Sequence, residues 1–219
     1  MSLVNVSGLS FRYPSTVELF HDVTFAIDPG DRLAVVGVNG AGKSTLLRIL
    51  AGELEPNEGA IARQKELLVA TSELRQPAQA GSLFDCIFDA RPHLASLRVR
   101  LNETRVEKPL QYAELVNEYD AFGGFAAETQ TERILTGLGF APAEWNLPLA
   151  VLSGGQRTRA GLARALHTGA GLLLLDEPTD HLDIAAREWL EEQLAGCNAC
   201  VLVSHDRTLL RRVASTTVL

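Results

Sequence analysis

One nine-residue segment, Gly37-Val38-Asn39-Gly40-Ala41-Gly42-Lys43-Ser44-Thr45, constrains this chain more than any other feature. Before it stands a short apolar stretch without alternation, Leu33 to Val36, the pattern of a strand buried on both faces of a parallel sheet. After it come Leu46, Leu47, Ile49 and Leu50 at helical spacing. Strand, glycine turn and helix therefore follow one another, the context in which a G-x-x-x-x-G-K-[ST] string cradles a phosphate. Glycines let successive backbone N–H groups approach an anion that side chains would hold off. The helix start adds its positive dipole end. Gly37, Asn39, Gly40, Gly42 and Thr45 form the cradle. Lys43 supplies a cation for the terminal phosphates and Ser44 a hydroxyl ligand for Mg²⁺.

A second string, Leu172-Leu173-Leu174-Leu175-Asp176-Glu177, is an apolar strand ending in two carboxylates. Open α/β sheets bind ligands at that strand end. Asp176 is a candidate Mg²⁺ holder, and Glu177 a candidate general base for an attacking water. A third, Leu152-Ser153-Gly154-Gly155-Gln156, opens an Arg-rich helix with two glycines and a hydroxyl, another anion-binding helix start. One nucleotide does not need two such sites, so the second makes sense if it serves a nucleotide held by another molecule.

These motifs, in this order, resemble the ATP-binding cassette (ABC) family. Leu152 to Gln156 looks like its signature, and Asp176-Glu177-Pro178-Thr179-Asp180-His181-Leu182-Asp183 like its catalytic motif and D-loop. Ser204-His205-Asp206-Arg207 resembles its switch-histidine region, and Tyr13 falls where the family stacks an aromatic ring on adenine. The resemblance implies an ATPase using ATP and Mg²⁺, with two cassettes closed head to tail. One cassette's phosphate loop and the other's Ser153, Gly154, Gly155 and Gln156 then grip the same nucleotide. His205 contacts the γ-phosphate, and Asp183 couples the two sites across the interface. The family also places an Mg²⁺-binding glutamine after the strand near Leu67 to Thr71. The expected position here is Ser72 or Glu73, and the nearest glutamine is Gln76.

The D-loop string, together with Gly137-Leu138-Gly139-Phe140, Trp189-Leu190-Glu191 and Val203-Ser204-His205-Asp206-Arg207, resembles the ABC-F branch and most closely its N-terminal cassette. That implies a second cassette as partner, in the same full-length protein or as a homodimer, and the ribosome as a further partner in translation or antibiotic resistance. The alternative is the ATP-binding subunit of an ABC membrane transporter. A nucleotide-gated clamp with slow hydrolysis is a variant of the first reading.

The resemblance implies an α/β fold of the P-loop NTPase (RecA-like) type, a mostly parallel sheet with an N-terminal antiparallel β-subdomain and an inserted α-helical subdomain. Within a single nucleotide-binding domain over 1–219, residues 1–81 and 152–219 form the α/β core. The helical segments Leu83–Asp89, Leu94–Asn102, Tyr112–Tyr119 and Ala126–Leu138 make 82–151 the insertion, with a short arm near Arg98 to Gly124. Core strands are expected at Leu3–Val6, Phe20–Ile27, Leu33–Val36, Leu67–Thr71, Leu172–Leu175 and Val201–Ser204. Core helices are expected at Gly154–Leu166 and Ile184–Leu194.

Composition sets the remaining bounds. No run approaches the ~18 apolar residues of a membrane span, and Met1 to Asn5 lacks signal-peptide character. A cytoplasmic protein without direct membrane insertion is expected. A net charge of −7 disfavours a broad grip on nucleic acid. The arginines near the middle (Arg98, Arg100, Arg105, with Lys108) and after the signature (Arg157, Arg159, Arg164) read as solvated helix faces. Three cysteines, an odd number, argue against a disulfide scaffold. Cys197-Asn198-Ala199-Cys200 has redox or zinc spacing, but with Cys86 the only other thiol it reads as a turn into a strand. Trp145 and Trp189 read as packing residues.

Overall fold

The computed structural model describes residues 2–14, 17–74, 81–104 and 109–218. They form two compact units. The first comprises Met1–Glu73, Gly169–Asp180 and Arg187–Leu219, the second Leu74–Thr168 and His181–Ala186.

In the first unit, β1 (Val4–Phe11) lies between β2 (Phe20–Ile27) and β4 (Glu58–Arg63), antiparallel to both. Val4, Val6, Leu9 and Phe11 of β1 are buried. The register breaks between Val6 and Leu9, where Gly8 has φ +60°. β1 runs past the expected Val6 because β4 pairs with it as far as Ser10↔Glu58. β4 itself, Glu-Gly-Ala-Ile-Ala-Arg, has one large apolar residue and is mostly exposed. Its pairing, rather than its own pattern, makes it a strand.

The second sheet of this unit is parallel, in the order β5 (Val69–Thr71), β6 (Leu172–Asp176), β7 (Cys200–Val203), β3 (Arg32–Val35) and β8 (Thr216–Val218). Leu172 to Leu175 and all of β7 are buried, as unalternating strands of a covered parallel sheet should be. Helix α1 (Lys43–Leu50) buries Thr45 and places Leu46, Leu47, Ile49 and Leu50 in a core shared with Leu33, Val35, Leu172, Leu174, Val201 and Val203. Each of those strands and its following loop contributes one expected motif. Two further elements close the unit, α8 (Arg207–Val213) and β8, which sequence reasoning did not anticipate. Asp206 caps α8 by accepting from Thr208 N at 2.8 Å and Leu209 N at 3.2 Å. β8 has little apolar content and exists through its ladder to β3.

The second unit holds α2 (Leu83–Phe88), α3 (Pro92–Thr104), α4 (Pro109–Ala121), α5 (Gly124–Gly137) and α6 (Gly154–His167). Pro92 and Pro109 stand at the first helical position, where a missing N–H costs no hydrogen bond. Its core gathers Phe88, Leu94, Leu97, Leu101, Leu115, Tyr119 and Ala127. Arg98 is no solvated charge: its guanidinium lies 5.0 Å from the Phe84 ring centroid and 4.7 Å from that of Phe88, paired with Asp85. Arg105 and Lys108 lie outside the described residues. α6, which pattern alone assigns to the α/β core, belongs to this unit because it packs on α2 and α5. Arg164 and Arg159 on it are likewise spent on protein, donating to the carbonyls of Cys86 and Leu138. At its last residue, His167 is fully buried, with neither ring nitrogen hydrogen-bonded among the described residues. α7 (Ile184–Ala195) follows β6, with its residues from Arg187 onward in the first unit. No helix among the described residues is long and apolar enough to cross a membrane.

Candidate functional site

Three strands of the parallel sheet end in one row: Val35 pairs with Val203, and Val203 with Asp176. The loop from Gly37 follows β3, Glu177 follows β6, and Ser204-His205 follows β7. The register therefore brings residues far apart in sequence to one sheet edge, the edge at which open α/β sheets take ligands.

Gly37 to Gly40 are exposed. Gly40 has φ +84° and Gly42 φ +91°, the left-handed conformation that glycine adopts without strain. At Gly42 a Cβ would stand 3.1 Å from Leu19 and from the Phe20 ring, so the helix start fits tightly against β2. Lys43 folds back over the loop, its Nζ donating to Gly37 O at 2.9 Å and Val38 O at 3.1 Å. α1 starts without a side-chain cap and has no acidic residue in its first turn, whereas α2, α6 and α8 are capped by Ser82, Ser153 and Asp206. An uncapped helix start beside a lysine and exposed glycines fits an anion in the capping position.

Ser44 is exposed in the first turn of α1, and Asp176 is half-buried at the end of β6. Their hydroxyl and carboxylate oxygens are the donor types a hard divalent cation takes. Asp176 N donates to Ser72 Oγ at 3.3 Å, joining β6 to the segment after β5. Ser72, one of the positions considered for the Mg²⁺-binding glutamine, thus steadies the Asp176 backbone; Gln76 lies outside the described residues. Glu177 has φ +44°, uncommon for a residue with a side chain. The carboxylate accepts from His205 N at 2.9 Å through Oε2, while Oε1 stands 3.4 Å from His205 Nε2. Tyr13 is half-buried, edge-on to Phe11 at 5.0 Å, its hydroxyl 3.3 Å from Thr45 Oγ1 in α1.

In the second unit, Ser153 and Gln156 form a reciprocal capping box. Ser153 Oγ accepts from Gln156 N at 3.2 Å, and Ser153 N donates to Gln156 Oε1 at 2.9 Å. Ser153 and Gly154 are exposed, and a Cβ on Gly154 would meet nothing within 4 Å. Gly155 is different: a Cβ there would come 3.0 Å from the His181 ring. Glu144, which sequence reasoning passed over, accepts from Gln156 Nε2 at 2.7 Å and fixes the amide. The S-x-x-Q spacing of the box was legible, but the Glu144 contact was not. Asp183 caps α7 by accepting from Ala186 N at 2.8 Å.

Residues 20–180 match the sequence pattern of the family described as ABC transporter. The ATP-binding protein Uup of Haemophilus influenzae is 37% identical over all of this chain, which spans 35% of its length. The tylosin resistance ATP-binding protein TlrC of Streptomyces fradiae is 37% identical over 98% of the chain, which spans 42% of its length. Among solved structures, a chain of an inward-facing ABC transporter described as of metal-chelate type has a TM-score of 0.65 at 26% identity, over 99% of this chain and 79% of that one. An ATP-binding subunit of an ABC transporter has a TM-score of 0.69 at 22% identity, over 99% and 85%, a likeness of fold. The chain therefore spans about two-fifths or less of the two named curated relatives, and in fold, motif order and sequence it belongs to the ATP-binding cassette family of ATPases, as a cassette of the ABC-F kind.

Proposed function

We propose that this cassette binds Mg-ATP at the sheet edge below Lys43 and hydrolyses it to ADP and phosphate when a second cassette closes over it head to tail. The observation that carries the reading is the convergence of Lys43, Asp176, Glu177 and His205 on one row of strand ends. In it, the backbone from Gly37 to Thr45, Asn39 included, wraps the phosphates, and the Lys43 ammonium leaves the loop carbonyls for the β- and γ-oxygens. The Tyr13 ring offers a face to the purine. Ser44 and Asp176 hold Mg²⁺, which neutralises charge on the phosphates. Gln76 is the third candidate ligand.

Glu177 takes a proton from the attacking water as the new oxygen–phosphorus bond forms, and the bond to the ADP oxygen breaks. His205 donates toward the γ-phosphate oxygens as their charge redistributes. Its backbone N–H meanwhile keeps the Glu177 carboxylate in place. Ser153, Gly154, Gly155 and Gln156 serve the nucleotide of the partner cassette. Because Ser153 Oγ already accepts from Gln156 N, its own proton is free to donate outward. Asp183, exposed at the start of α7, is the residue proposed to reach the partner.

In the whole protein we place this piece as the first of two cassettes in a cytoplasmic, ribosome-associated translation or antibiotic-resistance factor. The support is the 37% identity to TlrC, named for tylosin resistance, and to Uup. The transporter reading draws on likenesses at 26% and 22% identity. Co-sedimentation of the full-length protein with ribosomes in ATP, against co-fractionation with membranes, decides between the two. Turnover that stays slow with ribosomes present would favour the clamp variant.

A further inference from the structure

At the opposite end of β7 from the nucleotide row stand Cys197 and Cys200, which the cassette mechanism does not use. Cys200 opens the strand, paired with Arg32 of β3 and Leu173 of β6, and is fully buried. Cys197 lies three residues back, in the turn leaving α7, and is partly exposed. Both are free thiols, near enough in the fold for each to shift the titration of the other.

The turn between them is held on three sides. Gly30 N donates to Asn198 O at 2.6 Å, Asn198 Nδ2 to Gly171 O at 2.9 Å, and Leu173 N to Ala199 O at 3.0 Å. A helix C-terminus normally disfavours a thiolate, because its free carbonyls point negative charge at it. Here the Arg32 guanidinium takes those carbonyls, with Nε donating to Leu194 O at 2.8 Å and Nη2 to the carbonyls of Ala195 and Cys197. A disulfide needs Cα atoms within about 7 Å, and only Asn198 and Ala199 separate the two cysteines in this held turn.

We propose that Cys197 and Cys200 are a reversible oxidation site, closed to an intrachain disulfide by small peroxides and reopened by thiols. The Cys197 thiolate attacks the O–O bond of hydrogen peroxide, forming Cys197 sulfenic acid and releasing hydroxide. The Cys200 thiol, deprotonated by that hydroxide, attacks the sulfenic sulfur and expels a second hydroxide. The Cys197 proton released earlier completes the second water. Two thiols thus give one disulfide as one peroxide gives two waters. The roles follow from the two environments. The neighbouring Cys200 thiol and the Arg32 charge lower the Cys197 thiol below its usual range, while Cys197 and burial raise that of Cys200. Exposure and thiolate character together mark the attacking sulfur.

Brief hydrogen peroxide treatment of the folded chain, alkylation and tryptic mass spectrometry test this. Arg187 and Arg207 bound one peptide, Glu188 to Arg207, containing both cysteines. It should lose about 2 Da and two alkylation sites, regain both after dithiothreitol, and leave Cys86 alkylated. Closure should run at least about tenfold faster in the folded chain than in urea, because the fold supplies the pairing. In Cys200→Ser, dimedone should trap a sulfenic acid on Cys197, whereas Cys197→Ser should give neither adduct nor disulfide. Two alkylated thiols after glutathione in the same tube has been oxidised would overturn the proposal. Equal rates in folded and unfolded chain, or a disulfide that recruits Cys86, would overturn it as well.

Discussion

Glu177 and His205 hold each other at the sheet edge, the His205 backbone N–H 2.9 Å from Glu177 Oε2 and its Nε2 3.4 Å from Oε1. They are 28 residues apart and meet because β6 and β7 are paired with Asp176 opposite Val203. The carboxylate thus has one oxygen committed to backbone and one facing the imidazole, which orients it for a proton transfer at a fixed point.

Replacing Glu177 with Gln keeps the side chain's size and its acceptor for His205 N–H but removes the base. In the paired, ATP-closed protein, phosphate release should fall by ~10²–10⁴ while nucleotide binding persists. Wild-type turnover in this variant would assign the proton to another group.

Lys43→Ala removes the only lysine of the phosphate loop. Titration with a fluorescent ATP analogue should show binding weakened by at least ~100-fold, the scale of losing charge-assisted contacts to phosphate. Thermal stability should change little, since among the described residues Lys43 Nζ donates only to the loop carbonyls of Gly37 and Val38.

Ser153 joins two roles that substitution can separate. Ser153→Ala loses the cap on α6 and should cost about 1 kcal/mol in a denaturant titration. Ser153→Asp keeps a capping acceptor, so stability should hold. ATP-dependent pairing with the second cassette, followed by light scattering, should nevertheless be lost, because a carboxylate there repels phosphate. Pairing by Ser153→Asp at wild-type ATP concentrations would remove Ser153 from the shared site.

His167 carries a pH dependence. Burial is the main cause holding its ring to a pKa of about 4 against an ordinary 6.5, with Arg91 and Arg164 adding to it. The folded form therefore resists a proton that the unfolded chain accepts. The stability from this group is full above about pH 6.5 and is lost as pH falls toward 4. The loss amounts to at most roughly 3 kcal/mol. His167→Leu should flatten that segment of the stability–pH curve; an unchanged slope would place the titration elsewhere.

Gly59, at φ +86° on β4, has no room for a Cβ, which would overlap the Gly8 carbonyl. A backbone atom cannot rotate away, so Gly59→Ala should destabilise by about 2 kcal/mol or more, measured as a lower urea midpoint.

What the sequence determined by itself was local and strongly patterned. The apolar runs Leu33–Val36 and Leu172–Leu175 announced buried parallel strands because nothing alternates in them. The glycine–lysine string announced its turn because few other residues can make it. Pairing decided the remainder. Glu58–Arg63 and Thr216–Val218 carry too little apolar pattern to declare a strand, and each becomes one through its neighbour's ladder. Helix α6 looked like core by its place in the chain, yet its contacts to α2 and α5 put it with the helices. Of the arginines read as solvated, Arg98, Arg159 and Arg164 are taken up by carbonyls and rings, whereas Arg100 and Arg157 are exposed as expected. Motif identity is written residue by residue, but a hydrogen-bond partner far along the chain is selected by strand register and helix packing, which only the folded chain possesses.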